Sequence, residues 1–351
     1  MATQTPEPPP SPCAAVDVFA PARLHLGFLD VSGTLGRQFG SLGLTIDGIG
    51  TRIRLSRASA QSDPAPVSER ASRLLASLLE CHAELGPLQL TLSDSIPEHV
   101  GLGSGTQLGL AIAAGVAALA GERVSGRSLA QFVERGARSG IGIGAFDTGG
   151  FLVDGGKGPG DEPAPIIARM DFPVAWRLIL IFDHGRRGLF GDAEKEAFRA
   201  LPGFPADAAA RLCHLAMLRL LPGLADAEFG PAADAIGEIS ARVGDHFAPV
   251  QGGRFASPRV ALVLGWLHEA GFTGIGQSSW GPTGFALMPS EAEAMQTRDA
   301  LADRFGGDAQ LSFKICAGRN RGAEIRRFPG LIEGRAFARP GERRDARGAR
   351  R

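Results

Sequence analysis

Glycines at 101, 103 and 105 interrupt the run from Pro97 to Thr106, between a short alternating segment at 88–92 and a stretch built of Ala, Gly, Leu, Ile and Val. Lacking Cβ atoms and tolerating positive φ, Gly101, Gly103 and Gly105 allow successive N–H groups to converge on one ligand. The apolar stretch reads as a helix, whose first turn has free N–H groups and the positive end of a dipole, both favouring an anion. Ser104 and Thr106 add hydroxyl donors, so the expected ligand is a phosphate or diphosphate. A bare glycine run is also what a tightly packed capping turn requires, and that alternative stays open.

Other candidates lie elsewhere in the chain. Arg23 and His25 alternate with Leu24 and Leu26, so on a strand both polar side chains share one face. The face binds a ligand, or it is a solvated edge. Asp147 lies within a second glycine-dense stretch, 138–150, as a carboxylate for chemistry or as a turn and cap residue. A third glycine-rich loop, 274–284, carries Ser278, Ser279 and Trp280. Lys157, Arg186 and Arg187 join Arg23 as cations for phosphate groups, the arginines through bidentate guanidinium contacts. Asp30 and Asp154 are hard oxygen donors of the type Mg²⁺ takes, but their spacing identifies no ligand set.

Elements must bring these residues together. Strands are predicted at 15–20, 51–57, 88–92, 151–153, 176–182 and 310–315, and helices at 68–85, 125–138, 191–199, 207–220, 231–246, 257–270 and 290–305. The glycines from 27 to 43 read as a long functional loop. The expected organisation is an arm at 1–14, an N-terminal lobe at 15–170, a C-terminal lobe at 171–330 and a basic tail at 331–351. Over 351 residues, 37 basic and 37 acidic side chains balance, which argues against a general nucleic-acid binder. Cys13, Cys81, Cys213 and Cys316 form no CxxC or Cys/His cluster and read as free thiols of a reducing cytoplasm. The opening has no secretory pattern, and the apolar run at 108–120 is shorter than the roughly 20 residues of a membrane span.

In this order, Pro21 to Gly27, Pro97 to Thr106 and Gly274 to Leu287 resemble the three motifs of the GHMP superfamily of small-molecule kinases. The resemblance implies an α+β fold of two lobes and a central loop that wraps phosphates, with Asp147 at the place of a catalytic base. The chain departs from the kinases at Ser104-Gly105-Thr106-Gln107 and at Gln277-Ser278-Ser279-Trp280-Gly281-Pro282. There, and in Arg23 to Phe28 and 138–156, it is similar to a non-kinase branch, the beta-ribofuranosylaminobenzene 5′-phosphate synthases. That resemblance implies condensation of 5-phosphoribosyl diphosphate with 4-aminobenzoate or 4-hydroxybenzoate, with loss of carbon dioxide and diphosphate. Magnesium is the implied ion, no pyridoxal phosphate is expected, and a homodimer acting on small molecules is the implied assembly. Asp147 and His25 become catalytic candidates, and Ser278, Ser279 and Trp280 candidates for the aromatic site. An ATP-dependent kinase and a silent binding module of the same fold remain as alternatives.

Overall fold

Alternating apolar and polar residues build two long strands, β1 (Cys13–Asp30) and β2 (Phe39–Arg57). They pair antiparallel, with Val16 opposite Leu55, Val18 opposite Ile53 and Leu24 opposite Leu44. The computed structural model describes residues 13–58, 68–133, 138–188 and 191–329. The tail expected at 331–351 lies outside these residues, as does the arm at 1–14 except for Cys13 and Ala14, which begin β1.

The first sheet adds β3 (Leu88–Asp94), β4 (Phe151–Asp154), β5 (Ile166–Met170) and β10 (Glu324–Pro329) in the order β10-β1-β2-β4-β5, with β3 also on β2. Helix α1 (Glu69–Cys81) is capped by Ser68, whose Oγ accepts from Ala71 N at 3.3 Å. Helix α2 (Ser104–Leu119) is apolar on every side and is buried from Gly109 to Leu119, as such a helix must be. It packs on Val16, Val18, Ala20, Ile53 and Leu55, so the glycine loop at its start is anchored to the centre of the sheet.

The second sheet runs β7-β8-β6-β9, from β6 (Arg177–Asp183), β7 (Ile275–Gln277), β8 (Gly284–Met288) and β9 (Leu311–Ala317). Side-chain alternation in β6 makes two cores. Ile179 and Ile181 pack on α9 (Pro258–Glu269) and α10 (Glu291–Phe305). Leu178, Leu180 and Phe182 join Leu24 and Leu26 of β1 and the helices α6 (Ala206–Leu215) and α8 (Phe229–Gln251) in a core common to both lobes. The helical run Ala206–Ala225 is long and apolar enough to cross a membrane by composition alone, yet its Leu212, Leu215, Leu220 and Leu224 are buried in that core.

The α+β, two-lobed expectation therefore describes the molecule, with corrections. The lobe expected to end at 330 gives up its last strand, because β10 returns to pair with β1. The loop expected from Gly27 to Gly43 shortens to 31–38, since Gly40 and Gly43 lie within β2. A Cβ at Gly43 would run into Ile141, so that glycine serves strand-to-helix packing and not a turn. Ile141 belongs to α4 (Ile141–Asp147), a helix inside the stretch read as a glycine loop. Helix α3 (Gly126–Phe132) is shorter than the expected 125–138, whose residues 134–137 lie outside the described set.

Candidate active site

Two of the three glycine-rich stretches, the first and the third, meet at the β1 segment that carries Arg23 and His25. Arg23 N donates to Leu102 O at 3.2 Å and its Nη1 donates to Gly101 O at 2.6 Å. Ser278 Oγ donates to the same carbonyl at 2.8 Å and accepts from His25 N at 3.0 Å, while Ser279 N donates to His25 O at 3.0 Å. At Gly101, φ is 87° and a Cβ would collide with Ser278 O, so glycine is required twice over. Gly103, at φ 86°, is the cap residue of α2, and the Arg23 Cζ lies 3.2 Å from where its Cβ would stand. The guanidinium therefore covers the outer face of the loop.

Thr106 N and Gln107 N both donate to Gly103 O, at 3.1 and 3.0 Å. The N–H groups of Ser104 and Gly105 have no acceptor among the described residues, and they point along the helix start where an anion is favoured. A second cation stands beside them. Arg70 of α1 brings Nη1 within 2.6 Å of the Cβ position at Gly105, with Nη2 3.5 Å from Gly105 O. The periodicity of 68–85 places Arg70 on the outer face of a core helix, and only the packing of α1 on α2 reveals that this face borders the loop. Gly142, on the first turn of α4, packs on the far side, where a Cβ would stand 3.0 Å from the Thr106 methyl.

Beyond Arg23 lies a chamber of aromatic rings drawn from four elements and a loop. Phe28 of β1, Phe39 of β2, Phe247 of α8 and Trp280 surround Phe198 of α5 (Gly191–Ala200), with centroid distances from Phe198 of 5.9, 5.6, 5.8 and 5.1 Å. His25 stacks at a tilt on Phe28 at 4.5 Å. Arg138 lies over the Phe198 ring at 5.1 Å and donates to Glu194 Oε2 at 2.5 Å. Burial pushes the Glu194 carboxyl above its ordinary pKa, against the opposing pull of Arg138 and Arg23. Arg23 itself is lowered to about 10 by burial and stays cationic at neutral pH.

Among the described residues, four buried polar atoms in this region have no hydrogen-bond partner: Arg23 Nε, both ring nitrogens of His25 and Trp280 Nε1. The indole N–H faces Glu194 without closing a hydrogen bond to it. His25 is 3 % exposed, and burial, followed by the nearby Arg23 charge, holds its pKa down at about 3. A buried polar group left unpaired is costly.

The models for the GHMP kinases N terminal domain and the GHMP kinases C terminal region match residues 69–155 and 220–307. A beta-ribofuranosylphenol 5′-phosphate synthase from Archaeoglobus fulgidus is 30% identical over 323 residues, covering 87% of this chain and 97% of that protein. The chain belongs to the beta-ribofuranosylphenol 5′-phosphate synthase family. A second member, from Methanothermobacter thermautotrophicus, is 28% identical over 86% of this chain and 96% of its own length. The family shares its fold with kinases and decarboxylases. Mevalonate diphosphate decarboxylase from Staphylococcus aureus superposes with a TM-score of 0.61 at 15% identity, over 89% of this chain and 98% of that one. Homoserine kinase from Cytophaga hutchinsonii gives 0.57 at 18% identity, over 93% and 99%.

In this member of the synthase family, several candidate residues prove to have structural work. Asp147 turns away from the loop: its Oδ1 accepts from Gly126 N at 2.7 Å, and Arg127 N also donates to the carboxylate, so Asp147 caps α3. Ser278 spends its hydroxyl on Gly101 and His25, and Ser279 contributes its backbone N–H, so both fix the loop and leave the aromatic surface to Trp280. Asp30 accepts from Ser32 N, Gly33 N, Thr34 N and Thr34 Oγ1, which fills a turn and leaves no oxygen for a metal. Asp154 is fully buried among Ser41, Ser139, Gly140 N and Gly156 N, joining β2, β4 and the start of α4.

The cations also separate. Lys157 bridges to Gln38 through its backbone, next to Phe39 of the chamber. Arg186 and Arg187 instead line a cleft of about 730 Å³ between the lobes, with Arg52, Asp94, His184 and Lys314. Pro97, Glu98 and Val100 line that cleft, but none of Gly101 to Thr106 does.

Proposed function

We propose that this chain condenses 5-phosphoribosyl diphosphate with 4-hydroxybenzoate or 4-aminobenzoate, releasing carbon dioxide and diphosphate, in methanopterin biosynthesis. The observation that carries this reading is the juxtaposition, through Arg23, of a glycine loop suited to an anion with an aromatic chamber of unpartnered polar atoms. The names of the relatives support it, and a kinase reading gives no reason for the aromatic chamber.

Departure of the diphosphate builds negative charge on the leaving group and positive charge at the ribose C1. Fixed N–H donors at Ser104 and Gly105, with Arg23 and Arg70, meet the negative charge without reorganising. The nucleophile is the ring carbon bearing the carboxylate, made electron-rich by the para hydroxyl or amino group. Its bond to C1 forms as the C1–oxygen bond breaks, and loss of carbon dioxide returns the electron pair to the ring. Because the para group stabilises the intermediate, the route needs no pyridoxal phosphate. The chamber orients the ring beneath C1 and keeps water from the cationic centre.

Among the described residues no three His, Cys, Asp or Glu gather into a metal site, and Asp30 and Asp154 are saturated. Asp30 and Asp154, the two carboxylates expected as oxygen donors, thus do not fit a resident ion. Mg²⁺ is proposed to enter as the counter-ion of the diphosphate, as part of the substrate. The proposal further takes the protein to be a homodimer and places it in the cytoplasm, the latter in keeping with free Cys81, Cys213 and Cys316.

The test uses carboxyl-labelled 4-hydroxybenzoate or 4-aminobenzoate with Mg²⁺ and either 5-phosphoribosyl diphosphate or ATP. Label should be released only with the phosphoribosyl donor. No release from either acid, or full substitution by ATP, would overturn the proposal.

A further inference from the structure

Helix α5 is unlike the other elements around the chamber. None of its residues is fully buried, yet it sends Glu194 and Phe198, one helical turn apart, into the most crowded part of the site. Phe198 puts a phenyl ring among Phe28, Phe39, Phe247 and Trp280, and Glu194 puts a carboxylate on Arg138, in electrostatic reach of Arg23. A phenyl ring beside a carboxylate is the chemical outline of an arenecarboxylate. No room is left for a real one: Phe198 itself fills the place between Phe28, Phe39, Phe247 and Trp280, and the neighbouring space beside His25, Phe28 and Phe247 measures about 20 Å³, against roughly 150 Å³ for a cavity that takes benzene.

We propose that α5 is an internal stand-in for the aromatic acid, with Phe198 and Glu194 holding the places of the acceptor's ring and carboxylate until the acceptor displaces them. The inference rests on the transferase reading for the identity of the ligand, and on this geometry for the rest. Displacement hands Arg138 and Arg23 from one carboxylate to another, so the exchange conserves charge at the site. It leaves the acceptor's carboxylate-bearing carbon near Arg23, hence near the loop on which the diphosphate sits. It also exposes Trp280 Nε1 and Arg23 Nε to a ligand that can use them. The helix is suited to yielding because none of its residues is fully buried, so what it gives up is the packing of one face around Phe198 and the ion pair of Glu194.

A stand-in competes with what it imitates, which sets it apart from a wall of the site. If closed molecules outnumber open ones by about ten to one, weakening the closed form tightens acceptor binding by up to about tenfold. Glu194→Gln and Phe198→Ala should each lower the dissociation constant for 4-hydroxybenzoate, read by calorimetry with and without inorganic diphosphate. In hydrogen exchange, amides of 191–200 should exchange faster when 4-hydroxybenzoate binds the wild type, and fast without ligand in both variants. Weaker or unchanged acceptor binding in both folded variants, or slower exchange of α5 in the wild-type complex, overturns the inference. Released α5 without carbon dioxide release would overturn the transferase reading alone. Turnover with α5 protected by the acceptor would overturn only the stand-in.

Discussion

Acid should destabilise this protein through His25 in a way a single substitution can isolate. The imidazole is 3 % exposed, neither ring nitrogen has a partner among the described residues, and its pKa is lowered from 6.5 to about 3. Because the folded pKa lies below the unfolded one, the unfolded chain holds the extra proton between those values. The stability is present above 6.5 and is lost as pH falls toward 3. At about pH 4.5, roughly two pH units into that window, the loss comes to about 3 kcal/mol at about 1.36 kcal/mol per unit. Urea unfolding of the wild type and of His25→Leu at about pH 7.5 and about pH 4.5 measures it, because all other titrations cancel in the double difference. The wild type should lose about 3 kcal/mol more than the variant on acidification. A double difference within about 0.5 kcal/mol of zero would mean that the folded protein accepts the proton, and the picture of a neutral, unpartnered imidazole would be wrong.

Asp147→Asn should cost about 1 kcal/mol of stability, the usual loss for an impaired helix cap, while turnover stays within about twofold; a fall of tenfold or more would return Asp147 to the chemistry. Gly103→Val places a branched side chain at φ 86° against the Arg23 guanidinium. It should cost about 1–2 kcal/mol of stability and weaken phosphoribosyl diphosphate binding about tenfold or more, with equal affinity in a folded variant counting against the loop as the donor site. Arg70→Ala should weaken donor binding about tenfold while Arg186→Ala leaves it within about twofold, and the reverse order would move the phosphate site into the cleft between the lobes.

The sequence by itself determined the things that local chemistry fixes. An all-apolar helix must be buried, a glycine run before it must be an unusual turn, and that run in order with the motifs at 21–27 and 274–287 was enough to point to the GHMP superfamily and the synthase branch. Arg23, His25 and Trp280 were legible because each belongs to one of those stretches. Tertiary structure decided what depends on a second element. Asp147 looked available for catalysis in a glycine-rich segment, but the start of α3, some twenty residues earlier in the chain, takes its carboxylate. Asp30 and Asp154 looked like free oxygen donors until their turns and neighbours used every lone pair. Arg70 looked solvated because helical periodicity reports which face meets the core and is silent on what lies beside the other face. Phe28, Phe39, Phe198, Phe247 and Trp280 are spread from 28 to 280 in the chain, and rings so far apart acquire a common surface only when β1, β2, α5, α8 and the third loop pack together. Backbone geometry is a short-range property and is written locally, whereas the environment of a side chain is set by residues whose distance along the chain carries no signal.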